Sequence, residues 1–217
     1  MRTGQSHTKI AVIYLSSYGH TERQAMAVAA GARLAVDTDV ALIKVEAVEE
    51  EWSALELTDA IIFGAPTYMG SASAGFKAFM DATSRSVYAK GLAWKDKVAG
   101  GFTNSASRSG DKLATLQQIA IFAAQHAMHW VNLGLPPGHN NSKSSEDTLN
   151  RHGYFLGAGA QSNADESPEQ APPVADLRTA EHLGRRVATV AKQLAAGRQL
   201  LLESTTAESL IGSTAKS

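Results

Sequence analysis

Three short stretches of this sequence are rich in hydroxyl residues, small residues and glycine, and the first of them is suited to holding an anion. The first is Ser16-Ser17-Tyr18-Gly19-His20-Thr21, between an apolar run and an alanine-rich segment. Ser16, Ser17 and Thr21 bring hydroxyl donors to a helix start, whose free N–H groups and dipole favour negative charge. Gly19 lets the backbone fold tightly around it. That set suits one phosphate monoester without a basic side chain. The second stretch is Gly64-Ala65-Pro66-Thr67-Tyr68-Met69-Gly70, and the third runs from Thr103 to Asp111 through Asn104, Ser105, Ala106, Ser107 and Arg108. A serine or threonine ahead of a helix also reads as a plain N-cap. Three such loops in one chain favour a ligand.

The elements around these stretches explain how the loops would meet. Lys9 to Leu15 is a nearly continuous apolar run, the pattern of a strand buried on both faces. A helix is expected over Glu22–Ala35, a strand over Val40–Val45, a short acidic-faced helix over Glu49–Leu57 and a strand over Asp59–Phe63. Ser73–Ser84 follows as a helix with Phe76, Phe79 and Met80 on one face. A strand over Lys97–Phe102, a helix over Leu113–His126 and a strand over Met128–Leu133 complete the alternation. Such alternation implies a doubly wound α/β sheet, where ligands bind beyond the carboxyl ends of the strands. All three loops fall at such ends. Periodicity disappears from Pro136 to Pro173, so that stretch reads as one long loop, before a helix over Asp176–Leu194.

Other chemistries are excluded by composition and spacing. The 217 residues contain no cysteine, which removes disulfides, thiolate metal sites and thiol nucleophiles. Lys plus Arg is 20 and Asp plus Glu is 21, so no basic field exists for nucleic acid and no strong acidic one for docking by charge. The start of the chain is polar and its apolar runs are short, so a soluble, cytoplasmic protein without membrane insertion is expected. No G-x-x-x-x-G-K-[ST] occurs, and Gly157-Ala158-Gly159 lacks the third glycine of a dinucleotide loop. Ser73 has Ser71 two residues before it, so there is no nucleophile elbow. His126 and His129 have no third ligand nearby in sequence, and no metal site is assigned. Trp94 and Trp130 read as packing residues, and Glu49-Glu50-Glu51 as a solvated helix start. Arg108 fits equally a phosphate partner or a cover over a helix start.

Lys9–Ala30, with its Ser16–Thr21 loop, resembles the phosphate loop of flavodoxin-like FMN proteins. Within them the chain is similar to the WrbA-type NAD(P)H:quinone oxidoreductases and the NADPH-dependent FMN reductase-like proteins. Gly64–Gly70 followed by Phe76-Lys77-Ala78-Phe79-Met80-Asp81 matches that group's second motif, and Gly101-Phe102-Thr103-Asn104-Ser105-Ala106-Ser107 its strand-four flavin loop. The resemblance covers Lys9 to Gly197. The chain departs from the group in lacking a long insertion before Ala60–Phe63 and in its own 136–173 segment.

The resemblance implies a flavodoxin-like three-layer α/β/α fold with a five-stranded parallel sheet in the order 2-1-3-4-5, spanning 8–197, with 198–217 as a tail. It implies non-covalent FMN, its phosphate wrapped by Ser16, Ser17, Tyr18, Gly19, His20 and Thr21. Pro66, Thr67, Tyr68, Met69 and Gly70 would line one edge of the isoalloxazine, and Thr103 to Arg108 the other. His126 stands where the group places a histidine near the flavin, and Tyr88 where it places a substrate-stacking tryptophan; Tyr18 would also meet the nicotinamide. The implied activity is transfer of two electrons from NAD(P)H through FMN to a quinone-like acceptor, in a homodimer or homotetramer. The alternative is a flavodoxin-type carrier or an FMN-binding regulatory module without turnover.

Overall fold

The structure, a computed structural model, describes residues 7–214, with side chains as far as Ser204. Its strands and helices follow one another as β1 (Thr8–Tyr14), α1 (His20–Arg33), β2 (Thr38–Lys44), α2 (Trp52–Glu56), β3 (Ala60–Tyr68), β4 (Ser71–Ala72) and α3 (Ala74–Ser86). Then come β5 (Val98–Ser105), α4 (Lys112–Gln125), β6 (His129–Trp130), β7 (Ala158–Gln161) and α5 (Val174–Thr214). The parallel sheet has the order β2-β1-β3-β5-β6, the doubly wound arrangement expected, with helices on both faces. Among the described residues, no helix is long and apolar enough to cross a membrane.

Alternation along β1 builds both cores at once. Ile10, Val12 and Tyr14 enter the layer shared with α1 and α5, whereas Ala11 and Ile13 enter the layer shared with Phe63, Phe76, Phe79 and Phe122. Trp94 is fully buried in the second layer, 5.9 Å from the ring of Phe63, which agrees with the packing role its sequence context suggested. Trp130 is half-buried and donates its indole N–H to the Leu156 carbonyl at 3.0 Å. Helices α1 and α5 meet backbone to backbone: a Cβ at Gly31 would lie 1.8 Å from the Glu181 carbonyl oxygen, and one at Gly184 would lie 1.9 Å from that of Val28. No side chain fits at either crossing point.

The structure corrects the fifth strand. Sequence pattern predicts one strand over Met128–Leu133, yet only His129 and Trp130 pair with β5, opposite Val98 and Ala99. Beyond Val131 the backbone is claimed by other partners. Arg186 donates to the Asn132 carbonyl at 2.9 Å, and the Leu133 N–H donates to Phe155 at 2.9 Å. The chain then leaves the sheet and returns as β7, which pairs with Phe102–Ser105 of the same strand β5. The long expected loop therefore contains a strand. Its sequence, Ala158-Gly159-Ala160-Gln161, has no β-branched residue to announce it. Similarly, the helix expected to end at Leu194 continues to Thr214, through most of the expected tail; residues 215–217 lie outside the described residues.

A buried carboxylate ties this returning segment to α5. Asp176 accepts from Arg151 Nε at 2.7 Å and Nη2 at 3.0 Å, from His152 at 3.2 Å and from the Gln161 backbone N–H at 2.9 Å. Burial alone would raise its pKa, but the hydrogen bonds from His152, Arg151 and Gln161 outweigh it and hold the carboxyl below the usual range. Its contribution to stability is thus complete above the ordinary carboxylate range and fades as acid protonates it. Asp176→Ala would remove the buried carboxylate partner of the Arg151 guanidinium, whose side chain is only 7% exposed, and leave it the half-exposed Glu146 at 2.7 Å. We expect a loss of about 3–5 kcal/mol in urea unfolding at neutral pH, partly recovered by adding Arg151→Met.

Candidate functional site

The loops after β1, β3 and β5 converge on a cleft of about 600 Å³ at the carboxyl edge of the sheet. Ser16, Ser17, Tyr18, His20, Thr21, Pro66, Tyr68, Asn104, Ser105 and Ala106 line it. So do Ser162, Ala164, Glu166 and Pro168, which follow β7 and which sequence reasoning left in an unassigned loop. No lysine or arginine is among these lining residues. The volume lies within the range of about 300–1,000 Å³ common for small-molecule sites.

The first loop is built to leave donors free. The N-cap of α1 is Gly19, with φ of 87°, and no side chain caps the helix. The plain capping role of these hydroxyls is therefore not what the structure contains. Ser16 Oγ instead accepts the Gly19 N–H at 3.1 Å, which fixes the turn. His20 Nε2 donates to the Glu166 carbonyl at 2.9 Å, so the loop after β7 is fastened over the helix start. The N–H groups of the first helical turn, with Ser17 Oγ, remain to face an anion.

The second and third loops divide into supports and walls. Thr67 and Thr103 are buried beneath the cleft, their hydroxyls 2.8 Å apart; Thr115 lies 2.8 Å from Thr67, and Thr103 donates to the Ala65 carbonyl at 2.7 Å. Strand β3 runs further than the sequence suggests and turns back through Met69 and Gly70, with φ of 48° and 88°, into β4. Met69 is fully exposed at the tip of this turn. Asn104 donates to Ser162 Oγ at 2.9 Å, and Ser105 Oγ donates to the Ser107 carbonyl at 3.1 Å. Arg108 pairs with Glu146 and lines a neighbouring cleft with Tyr154 and Phe155. Hydrogen bonds from Arg108 and Arg151 hold the Glu146 carboxyl well below its ordinary range.

His126 and Tyr88 are not brought to this cleft. Helix α4 starts beside the third loop and carries the chain about 21 Å away along its 14 residues. His126 therefore lies at the amino edge of the sheet, where the neighbouring Ala127 carbonyl accepts the Asp96 N–H. Its Nε2 is 2.9 Å from Thr83 Oγ1, its Nδ1 is buried without a partner, and burial pushes its pKa down to about 4. Tyr88 stands over it, ring centres 6.4 Å apart, and both line a separate cavity of about 470 Å³. His129 is exposed, 3.7 Å from Asp96. A residue that sequence reasoning passed over is Lys112, fully buried under the third loop. Its signal was a cation at the first position of a helix, where the dipole disfavours it.

Residues 8–136 match the family model described as NADPH-dependent FMN reductase. The chain is 44% identical over 191 residues to Flavodoxin FldP of Pseudomonas aeruginosa, covering 86% of this chain and 98% of that protein. It is 34% identical over 203 residues to an NAD(P)H dehydrogenase (quinone) of Azorhizobium caulinodans, covering 86% and 98%. Among solved structures, a flavodoxin, WrbA-like protein from Agrobacterium tumefaciens superposes with a TM-score of 0.66 at 42% identity, covering 86% of this chain and 98% of that one.

The geometry of the first loop can be tested directly. A Cβ at Gly19 would meet Pro168 Cγ at 2.5 Å, and the positive φ disfavours any L side chain. Gly19→Val should lower stability by about 1–3 kcal/mol in thermal unfolding, because it adds strain and a clash at one point. It should also speed proteolysis within 162–168 by lifting that segment off the helix start.

Proposed function

The chain belongs to the NADPH-dependent FMN reductase family, and from that premise we propose that it is an FMN-dependent oxidoreductase passing two electrons from NAD(P)H to a quinone-like acceptor. The observation that carries this reading is the cleft where all three loops meet. It offers hydroxyls and unfilled helix N–H groups at one end, amide-rich loop backbone at the other, and the half-exposed ring of Tyr68 between. Those donors fit the phosphate and the ring of FMN. When bound there, FMN supplies the hydride-accepting and electron-donating chemistry.

The protein's part is to hold and orient. Ser17 and the first turn of α1 grip the phosphate as neutral donors to a charged acceptor. The buried Thr103–Thr67–Thr115 chain fixes the floor, so the walls above keep their spacing. Tyr68 and the largely exposed Tyr18 offer aromatic faces for flat rings. One open slot has to serve donor and acceptor in turn. We further propose a homodimer or homotetramer in which the His126–Tyr88 cavity of one copy comes to the cleft of another, since within one chain the two lie at opposite edges of the sheet.

A second reading, an electron carrier without turnover, is favoured by the 44% identity to a protein named a flavodoxin. Kinetics separate the two. Purified protein loaded with FMN should be yellow, oxidise NADH or NADPH in the presence of benzoquinone, and give parallel double-reciprocal lines. FMN loading without nicotinamide oxidation would favour the carrier. Riboflavin, which lacks the phosphate, should bind far more weakly than FMN, and Ser17→Glu should weaken FMN by tenfold or more. Each charge-assisted bond lost is worth about 1.5–3 kcal/mol. Equal affinity for the two flavins would refute the phosphate assignment. Light scattering of the FMN-loaded protein should give a multiple of the 22.9 kDa chain mass.

A further inference from the structure

The loop between β5 and α4 has its carbonyls turned inward by side chains. Lys112 Nζ donates to the carbonyls of Ser107 at 2.7 Å, Arg108 at 2.9 Å and Ser109 at 3.4 Å. Gln161 donates to the Ala106 carbonyl at 3.1 Å, and the Tyr154 hydroxyl donates to that of Ser109 at 3.0 Å. In a trans peptide, C=O and the following N–H point in opposite directions. Tethering the carbonyls of 106–109 therefore turns the N–H groups of Ser107, Arg108, Ser109 and Gly110 to the outer side of the loop. Among the described residues none of these four donates within the protein. Successive outward N–H groups form a patch that favours electron-rich acceptors.

We propose that Lys112 is a positioning residue for flavin binding: its buried ammonium gathers three loop carbonyls and so fixes the loop whose Asn104, Ser105 and Ala106 wall the cleft. This rests on the FMN reading above. An ammonium has three donors for three carbonyls, whereas the neutral amine has two and sets a lone pair against the third. Burial pushes Lys112 down to about 8, opposed by Asp176 of α5 and assisted by Arg151. The other groups around it are Asp111 on its own helix, Tyr154, which burial pushes upward, and the Arg108–Glu146 pair. Of the shifted groups in this cluster, Lys112 is the one that titrates just above neutrality. A loop held by the ammonium should therefore lose its flavin affinity as pH rises through about 8, while the depressed pKa makes the fold itself gain stability in that range. The opposite signs separate a positioning role from a merely structural one.

The test is FMN affinity by fluorescence titration from pH 6.5 to 9.5, with the flavin visible spectrum recorded at each point. Wild type should weaken several-fold between pH 7 and 9. Lys112→Met should bind FMN at least tenfold more weakly at pH 7, show no step near pH 8 and have an altered visible band. Lys112→Arg, charged throughout, should recover part of the affinity without the step. In apoprotein at pH 6.5, ¹⁵N relaxation should show the Ser107–Ser109 amides ordered in wild type and mobile in Lys112→Met. If Lys112→Met does not fold, the wild-type pH profile decides alone. Wild type that binds FMN with flat affinity across pH 7–9 overturns the role of Lys112 and leaves the FMN reading intact. Wild type that binds no FMN overturns both, even where apoprotein relaxation shows the loop tethered.

Discussion

Asp176 holds a negative charge that the fold has withdrawn almost wholly from water, and its donors must stay aimed at it for that to be tolerable. Those donors come from Arg151, His152 and the backbone of Gln161, all in the segment that leaves the sheet and returns. The ion pair thus dictates where this segment re-enters the fold. Strand β7 then sits beside β5, and Ser162 to Pro168 fall where they close the cleft. Without that anchor, the first loop would lose its lid at Glu166 and the third its tie at Gln161.

A consistent choice runs through the cleft: its lining donors are dipoles, not cations. Hydroxyls and backbone N–H groups carry no charge to desolvate, so they can be half-buried at small cost. The neighbouring cations are displaced outward or paired off. Arg108 is turned to Glu146, and Lys112 is hidden beneath the loop it organises. The result is a site whose polarity is fixed by backbone geometry. Such geometry is set by folding, not by rotamer choice, which suits a cofactor that must be held in one orientation.

The parts of this arrangement that were legible in the sequence are those governed by local pattern. The apolar run of β1 and the hydroxyl-rich turn after it need no distant partner to be recognised, and the three loops do meet. Local pattern failed where a distant group decides. The run through Asn132 and Leu133 has the composition of a strand, but Arg186 and Phe155 take the backbone groups that a ladder would need. Ala158–Gln161 lacks strand composition and becomes a strand because the vacated edge of β5 offers it partners. His126 aligns with a flavin-side histidine by motif, yet the length of α4 carries it to the other edge of the sheet. Thr67 and Thr103 illustrate a finer limit: their types suggest ligand contact, and only their burial reveals them as supports. Lys112 was overlooked because a lysine beside a polar loop reads as solvated until three carbonyls are found around it.

The divided fifth strand bears on how such a chain can diversify. The excursion between β6 and β7 starts and ends at one position of the sheet, so its length is uncoupled from the register of everything else. Closing a loop twice as long costs only about 0.6 kcal/mol more in chain entropy. Insertions there can grow, shrink or exchange without reshaping the helical layers on either face of the sheet, provided Arg151, His152 and Gln161 still find Asp176. The excursion is a place where new surface can be tried while the Ser16–Thr21 end of the cleft stays as it is.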